Sequence, residues 1–86
     1  MSNSGAVSRK TIRVAVIFEP GKRLRPVWFE HNRRQHRVVE TTYSWNDKVG
    51  ETPLVHFAVS DGEALFELVY SPLDGSWTLA SQQASP

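Results

Sequence analysis

Residues 25–39 constrain the fold most strongly, because two segments of alternating side chains flank the signal for a tight turn. Asn tolerates a positive φ, so Asn32 and Arg33 predict a two-residue turn of the kind that joins antiparallel strands, although Gly would suit the second position better than Arg. This turn would place Phe29 opposite His36. The stretch is therefore predicted to be a β-hairpin.

A second register of the hairpin stays open at this point. A turn centred on Arg33 and Arg34 would place His31 opposite His36. Both registers preserve the same alternation of side chains, so the division into two faces does not depend on the choice. One face carries Val27, Phe29, His31, Arg34, His36, Val38 and Glu40, and the other carries Trp28, Glu30, Gln35, Arg37, Val39 and Thr41.

The rest of the chain continues as short alternating segments divided by turn residues. Residues 11–19 predict a first strand, and the third strand is expected to continue to residue 43 or 45. Residues 46–53 are rich in turn formers and predict a polar loop. Further strands are predicted over residues 54–59, 64–70 and 77–80, with Asp61-Gly62 as the clearest hairpin turn.

Residues 63–70 also permit a helical interpretation, because Glu, Ala and Leu favour helix. Turn signals on both sides make the segment short for a helix, so we expect a strand. Short strands without a helix predict an all-β fold: a small SH3-like barrel or roll of five to six antiparallel strands in a meander. An OB-like barrel is the alternative. We expect one domain over residues 11–80, with disordered tails over residues 1–10 and 81–86.

The composition limits the classes of function. Cysteine is absent, which excludes disulfides, thiolate metal sites and thiol redox motifs. The first ten residues lack the apolar segment of a secretion signal, and the longest strongly apolar run, residues 14–18, is too short to cross a membrane. We therefore expect a cytoplasmic protein that has no membrane partner.

Charge is distributed unevenly along the chain. Residues 1–48 hold all ten Lys and Arg with four acidic residues, whereas residues 49–86 hold five acidic residues and no Lys or Arg. A basic face is one sign of an anionic partner. We favour the other interpretation, in which strands from the two halves interleave in a barrel and their charges pair across them.

No motif supports catalysis or a cofactor. The chain lacks a nucleophile elbow and a phosphate-binding Gly-rich loop, so we expect no catalytic residue, no cofactor site and no enzyme activity. A zinc site would need His31 and His36 in the second register, with a third ligand from Glu40 or His56. Arg34 shares that face and repels a cation, so we expect no metal site.

Short motifs carry a resemblance over residues 12–79. They are Arg-Pro-Val-Trp-Phe-Glu at 25–30, Val-Val at 38–39, Tyr-Ser-Trp at 43–45, His-Phe-Ala-Val at 56–59, Asp-Gly at 61–62, Phe-Glu-Leu at 66–68 and Gly-Ser-Trp-Thr-Leu at 75–79. With them the chain resembles small bacterial all-β domains of unknown function. The resemblance implies an SH3-like barrel and no particular activity.

The preferred function is a non-catalytic binding module, either a protein-interaction domain or an assembly subunit, whose partner the sequence does not identify. Trp28, Tyr43, Trp45 and Trp77 would line a groove for an extended peptide, and an exposed edge strand would accept a strand from a partner or a second copy. Against the groove, Trp45 and Trp77 are expected in the core.

The alternative function is binding of single-stranded DNA or RNA through the basic hairpin. Trp28 and Arg37 share the outward face, where an aromatic ring stacks on a base and a guanidinium binds phosphate. Glu30 on that face and an isoelectric point of about 8.2 oppose this function. The candidate ligand-binding residues are Lys22, Arg23, Arg25, Trp28, Arg33, Arg34 and Arg37.

Overall fold

The computed structural model describes residues 10–21 and 24–84, which form eight β-strands and no helix. All strand pairs are antiparallel, so the predicted all-β fold is confirmed. Of the tails expected at residues 1–10 and 81–86, residues 1–9 and 85–86 lie outside the described residues. The strands are β1 (Lys10–Ile12), β2 (Val14–Ile17), β3 (Arg25–His31), β4 (Arg34–Arg37), β5 (Glu40–Val49), β6 (Thr52–Ser60), β7 (Ala64–Ser71) and β8 (Ser76–Ala84).

Two sheets build the roll, one in the order β1-β8-β7-β6-β5 and the other in the order β2-β3-β4. The chain passes from one sheet to the other at Arg13, between β1 and β2, and at Val38 and Val39, between β4 and β5. The predicted first and third strands each cross such a corner, which is why six predicted strands become eight. The two ladders do not join into a closed barrel.

The β3–β4 hairpin adopts the register that a turn at Asn32 and Arg33 predicts. Both residues have a positive φ, 54° and 63°. Phe29 lies opposite His36, with the two rings stacked at a centroid distance of 5.0 Å. The register centred on Arg33 and Arg34 is therefore wrong. Phe29 is fully buried and Trp28 is half-buried on the opposite face.

Residues 46–53 form a hairpin and not the predicted polar loop. β5 runs to Val49 and β6 begins at Thr52, and these two residues pair across a two-residue turn. Gly50 opens the turn with φ +61°, a conformation that Gly adopts without the steric cost of a Cβ. Only Gly50 and Glu51 of this stretch therefore form a turn, and the polar residues on either side of them lie in strands.

The core lies between the two sheets. Val38 and Leu79 are among the half-buried residues that pack against it. Trp77 is in the core as predicted, whereas the prediction for Trp45 is wrong, because that side chain is half-buried on the outer face of the larger sheet. The buried apolar residues of the core are Phe29, Phe57, Val59, Phe66, Leu68 and Trp77.

Two segments near the end of the chain test the strand assignments. Residues 64–71 form strand β7, so the helical alternative is wrong there. β8 extends to residue 84 where a disordered tail was expected from residue 81, because β7 offers it a long partner: Glu67 pairs with Ser81 and Phe66 with Gln82. Within the described residues there is no helix with the length and hydrophobicity that a membrane span requires.

Candidate functional site

The structure brings together some of the residues of the predicted basic site. Trp28 and Arg37 lie directly opposite each other on the outward face of the three-stranded sheet, as the alternation predicted. Arg25 begins β3, where its Nε lies 3.8 Å from Glu19 Oε1. One aromatic ring and one guanidinium group are thus adjacent on this face.

The other members of the basic set are divided between two faces or lie outside the described chain. Arg33 occupies the exposed turn of the hairpin. Arg34 pairs with His31 on the face that Phe29 shares, so it does not lie beside Trp28. Lys22 and Arg23 lie outside the described residues.

The observed ion pairs of arginine do not link the two halves of the sequence. Arg13 Nη1 lies 3.6 Å from Glu30 Oε2, and both partners belong to the basic first half, as do Arg25 and Glu19. These side chains are well exposed, and exposed pairs contribute only about 0–1 kcal/mol. In the part of the chain that the structure describes, the contacts between a carboxylate and a basic side chain of the other half are those of His36 and His56.

His36 and Asp61 form the first of these contacts. His36 Nδ1 lies 2.8 Å from Asp61 Oδ2, and both side chains are almost buried. Asp61 Oδ1 accepts hydrogen bonds from the backbone N–H groups of Glu63 and Ala64, each at 2.8 Å. Burial by itself would raise the pKa of Asp61, but the bonds from His36 and the two amides outweigh it and lower that pKa.

His31 lies beside this pair without completing a metal site. Its ring centroid is 6.0 Å from that of His36, and its Nε2 lies 3.1 Å from Gln82 Oε1. The two histidines are not directly opposite each other, since His36 faces Phe29. Among residues 10–21 and 24–84, no three His, Cys, Asp or Glu side chains are arranged to hold a metal ion.

His56 is the centre of a second cluster, on the outer face of the larger sheet. It is 5% exposed, and its Nδ1 lies 2.7 Å from Glu67 Oε2 while its Nε2 lies 3.5 Å from Asp47 Oδ2. Trp45 stacks on the imidazole at a centroid distance of 4.8 Å, and Tyr43 lies 5.3 Å from Trp45. The cluster therefore fixes β5 to β6 and β7.

The predicted aromatic groove does not form as a set of four. Tyr43 and Trp45 are neighbours on β5, but Trp77 is in the core and Trp28 belongs to the other sheet. The cluster around His56 was missed because residues 46–53 were assigned to a loop. A hairpin there would have placed Trp45 opposite His56, the pairing observed.

A further candidate site is the outer side of β5. Within the described residues, β5 has β6 as its neighbour on one side and no strand on the other. A bulge at Thr42 interrupts the ladder, and the regular pairing runs from Tyr43 to Val49. We name this stretch, residues 43–49, the β5 edge.

The register tells which backbone groups the β5 edge presents. Val49 and Thr52 flank a two-residue turn, so they form a hydrogen-bonded pair of the ladder. In an antiparallel ladder such pairs alternate with pairs that do not bond. The N–H and C=O groups of Ser44, Asn46 and Lys48 therefore point away from β6.

Two local observations agree with this assignment. The N–H of Lys48 donates to Asp47 Oδ1 at 2.7 Å and not across the ladder. Pro53, which has no N–H, lies opposite Lys48, where the ladder requires no donor. Observations on both β5 and β6 thus indicate that the backbone N–H and C=O groups of Lys48 point away from β6.

The β5 edge is also well exposed. All residues of β5 are exposed except Trp45, which is half-buried, and Tyr43 and Val49 are exposed by 65% and 62%. β6 pairs with β7 only from Val55 onward, and Val55 lies opposite Asn46, so residues 47–54 extend from the sheet as a two-stranded ribbon. Apolar side chains and open backbone groups thus occur on the same strand.

The fold and this edge define a small antiparallel β domain that carries a long, exposed edge strand. In comparison with known proteins, no family model matches the chain, and no curated protein or solved structure shows significant similarity to it. The resemblance to small bacterial all-β domains therefore stays a prediction.

Proposed function

We propose that this domain is a non-catalytic binding module that recruits a protein partner by strand addition to the β5 edge. The observation that carries the proposal is the series of outward backbone groups at Ser44, Asn46 and Lys48, on a strand with no neighbour on that side in the described chain. An exposed edge of this kind is a template for another strand, and strand addition is a common mode of peptide recognition.

Rigidity of the strand supports the proposal. Trp45 is held on His56, which is itself held by Glu67, so β5 does not need to become ordered on binding. A preformed edge reduces the entropy cost of association. Tyr43 and Val49 supply exposed apolar contacts to the side chains of an added strand.

A displayed library of unstructured peptides, selected against the wild-type domain, tests this function. We expect the selected peptides to bind the wild type, to lose binding to Asn46→Pro, and to keep it with Asn46→Ala. Proline removes the outward N–H and leaves the ladder to β6 intact, whereas alanine keeps that N–H. Equal binding to all three proteins would contradict the proposal.

A second candidate function rests on Trp28 and Arg37, which lie directly opposite each other on the outward face of the smaller sheet. We propose single-stranded DNA or RNA as the ligand for this face, since base stacking and phosphate binding need such a pair. The ion pair of Arg13 with Glu30 reduces the negative charge that a phosphate would meet there.

An NMR titration with a short single-stranded oligonucleotide tests this candidate. We expect shifts at Trp28 and Arg37 at low salt that disappear at high salt, because phosphate binding releases counterions. Arg37→Ala should weaken binding, whereas Arg34→Ala, on the opposite face, is the matched control. The absence of shifts at low salt would exclude this candidate.

A further inference from the structure

We propose that the partner of the β5 edge is a second copy of this chain, bound as an antiparallel strand pair about a two-fold axis at Asn46. The inference rests on the proposed function, since it names the partner of the same edge. Closed two-fold dimers are the commonest assemblies of identical chains, and they require a surface that is complementary to itself.

The limits of the regular strand select the register. The bulge at Thr42 and the turn at Gly50 confine regular pairing to residues 43–49. Full antiparallel overlap of this stretch with its copy places its midpoint, Asn46, opposite itself. Ser44 of each chain then lies opposite Lys48 of the other, and all three residues direct their backbone groups toward the partner.

The same register makes the apolar side chains complementary. Tyr43 and Val49 are at opposite ends of the β5 edge and are the two exposed large hydrophobic residues within it. They lie six positions apart and therefore on the same face. In the two-fold pair, each Tyr43 lies opposite Val49 of the other copy, so the two side chains cover each other from water.

The charges of the edge permit this pairing. Asp47 and Lys48 are the charged residues within it, and they lie opposite Trp45 and Ser44 of the second copy, so no like charges meet directly. The Lys48 N–H must exchange its bond to Asp47 for one to the second copy. One strand pair is also small for an interface, so we expect weak, reversible dimers.

Single cysteines test the position of the axis, since the natural chain contains none. In Asn46→Cys the two thiols would face each other with Cα atoms about 5.5 Å apart, within disulfide range. In Ser44→Cys they would be roughly 13 Å apart, four residue steps along the strands. Under mild oxidation we expect disulfide-linked dimers of the first variant only. Equal linkage of both variants, or linkage of neither, would overturn the proposed register.

Charge substitutions at Ser44 test the same register without a covalent bond. Ser44→Glu would face Lys48 of the other copy and strengthen the dimer about two- to fivefold, and Ser44→Lys would weaken it by a similar factor. Sedimentation equilibrium measures both. If both substitutions weaken the dimer, the axis lies at Ser44 and the proposal is wrong; if neither changes it, the dimer does not use this edge.

The outcome also separates this inference from the proposed function. A wild-type chain that stays monomeric up to millimolar concentration, yet binds library peptides through the β5 edge, would overturn the second copy as partner and leave the binding module standing. A chain that neither self-associates nor binds peptides at this edge would overturn both.

Discussion

His56 Nδ1 lies 2.7 Å from Glu67 Oε2, and this contact joins β6 to β7 on the face of the larger sheet opposite the core. Trp45 stacks on the face of the imidazole and connects β5 to the same pair of strands. A buried histidine that is bonded in this way gives a small domain a second ordered layer outside its core. It also holds the strand that we propose as the binding edge.

Removing the imidazole should destabilise the domain and loosen β5. We expect His56→Ala to lower the free energy of unfolding by about 2–3 kcal/mol, because it opens a space under Trp45 and leaves the Glu67 carboxylate without its partner. Urea denaturation followed by tryptophan fluorescence measures this loss. A change below about 0.5 kcal/mol, the size of an ordinary surface substitution, would contradict the role of the cluster.

The core assignment is tested with two leucines. Leu68 is fully buried between the sheets, whereas Leu73 is 72% exposed in the β7–β8 turn. We expect Leu68→Ala to cost about 2–5 kcal/mol, since it removes buried methyl groups and leaves a cavity, and Leu73→Ala to cost less than about 0.5 kcal/mol. Thermal unfolding of the two variants would contradict the fold if their midpoints were equal.

The bond between Asp61 and His36 predicts a dependence of stability on pH. Because the pKa of Asp61 is lower in the folded chain than its ordinary value of 3.8, the ionised carboxylate stabilises the fold fully above that value. The contribution is lost as the pH falls through the lowered pKa. We expect Asp61→Asn to cost about 1–2 kcal/mol at pH 7.

The difference between Asp61→Asn and the wild type should therefore shrink once the pH falls below 3.8. Urea denaturation of both proteins across pH 2–7 measures it. A difference that stays constant over that range would show that ionisation of Asp61 does not contribute to folding.

The turn of the β3–β4 hairpin holds Arg33 in a strained backbone conformation, and a substitution should remove this strain energy. Arg33 has φ +63°, in the left-handed region that costs a residue with a Cβ about 1–2 kcal/mol. Glycine avoids this cost but loses more entropy on folding, so we expect Arg33→Gly to stabilise the domain by about 0.5–1 kcal/mol. Arg34→Gly, at a position without a positive φ, is the control and should destabilise the domain. Stabilisation by both substitutions would point to charge repulsion as the cause.

Local sequence signals predicted the elements whose pairing they control directly. The alternation around Phe29 and the turn at Asn32 determined the register of the hairpin, and the Asp61-Gly62 turn marked the β6–β7 connection. These features depend on neighbouring residues and on the two-residue period of a strand. The all-β class followed from the same signals.

The remaining features depend on contacts between distant parts of the chain. The corner at Arg13 exists because β1 pairs with β8 while β2 pairs with β3, and no local pattern indicates that exchange. Trp45 was expected in the core because of its size, but it is half-buried on the outer face of the larger sheet, where it stacks on His56. The sequence did not predict the β5 edge, because residues 46–53 are rich in turn formers and were expected to form a loop.

We propose that the backbone N–H groups of Ser44 and Asn46 are open to water in the free domain and become hydrogen-bonded when a partner adds a strand. Residue-resolved amide hydrogen exchange at low and high protein concentration tests it most directly. We expect the amides of Tyr43 and Trp45 to be protected at both concentrations, and those of Ser44 and Asn46 to exchange rapidly when dilute and to become protected when concentrated. Rapid exchange of Ser44 and Asn46 at both concentrations, in a sample that sedimentation shows to be associated, would contradict the account.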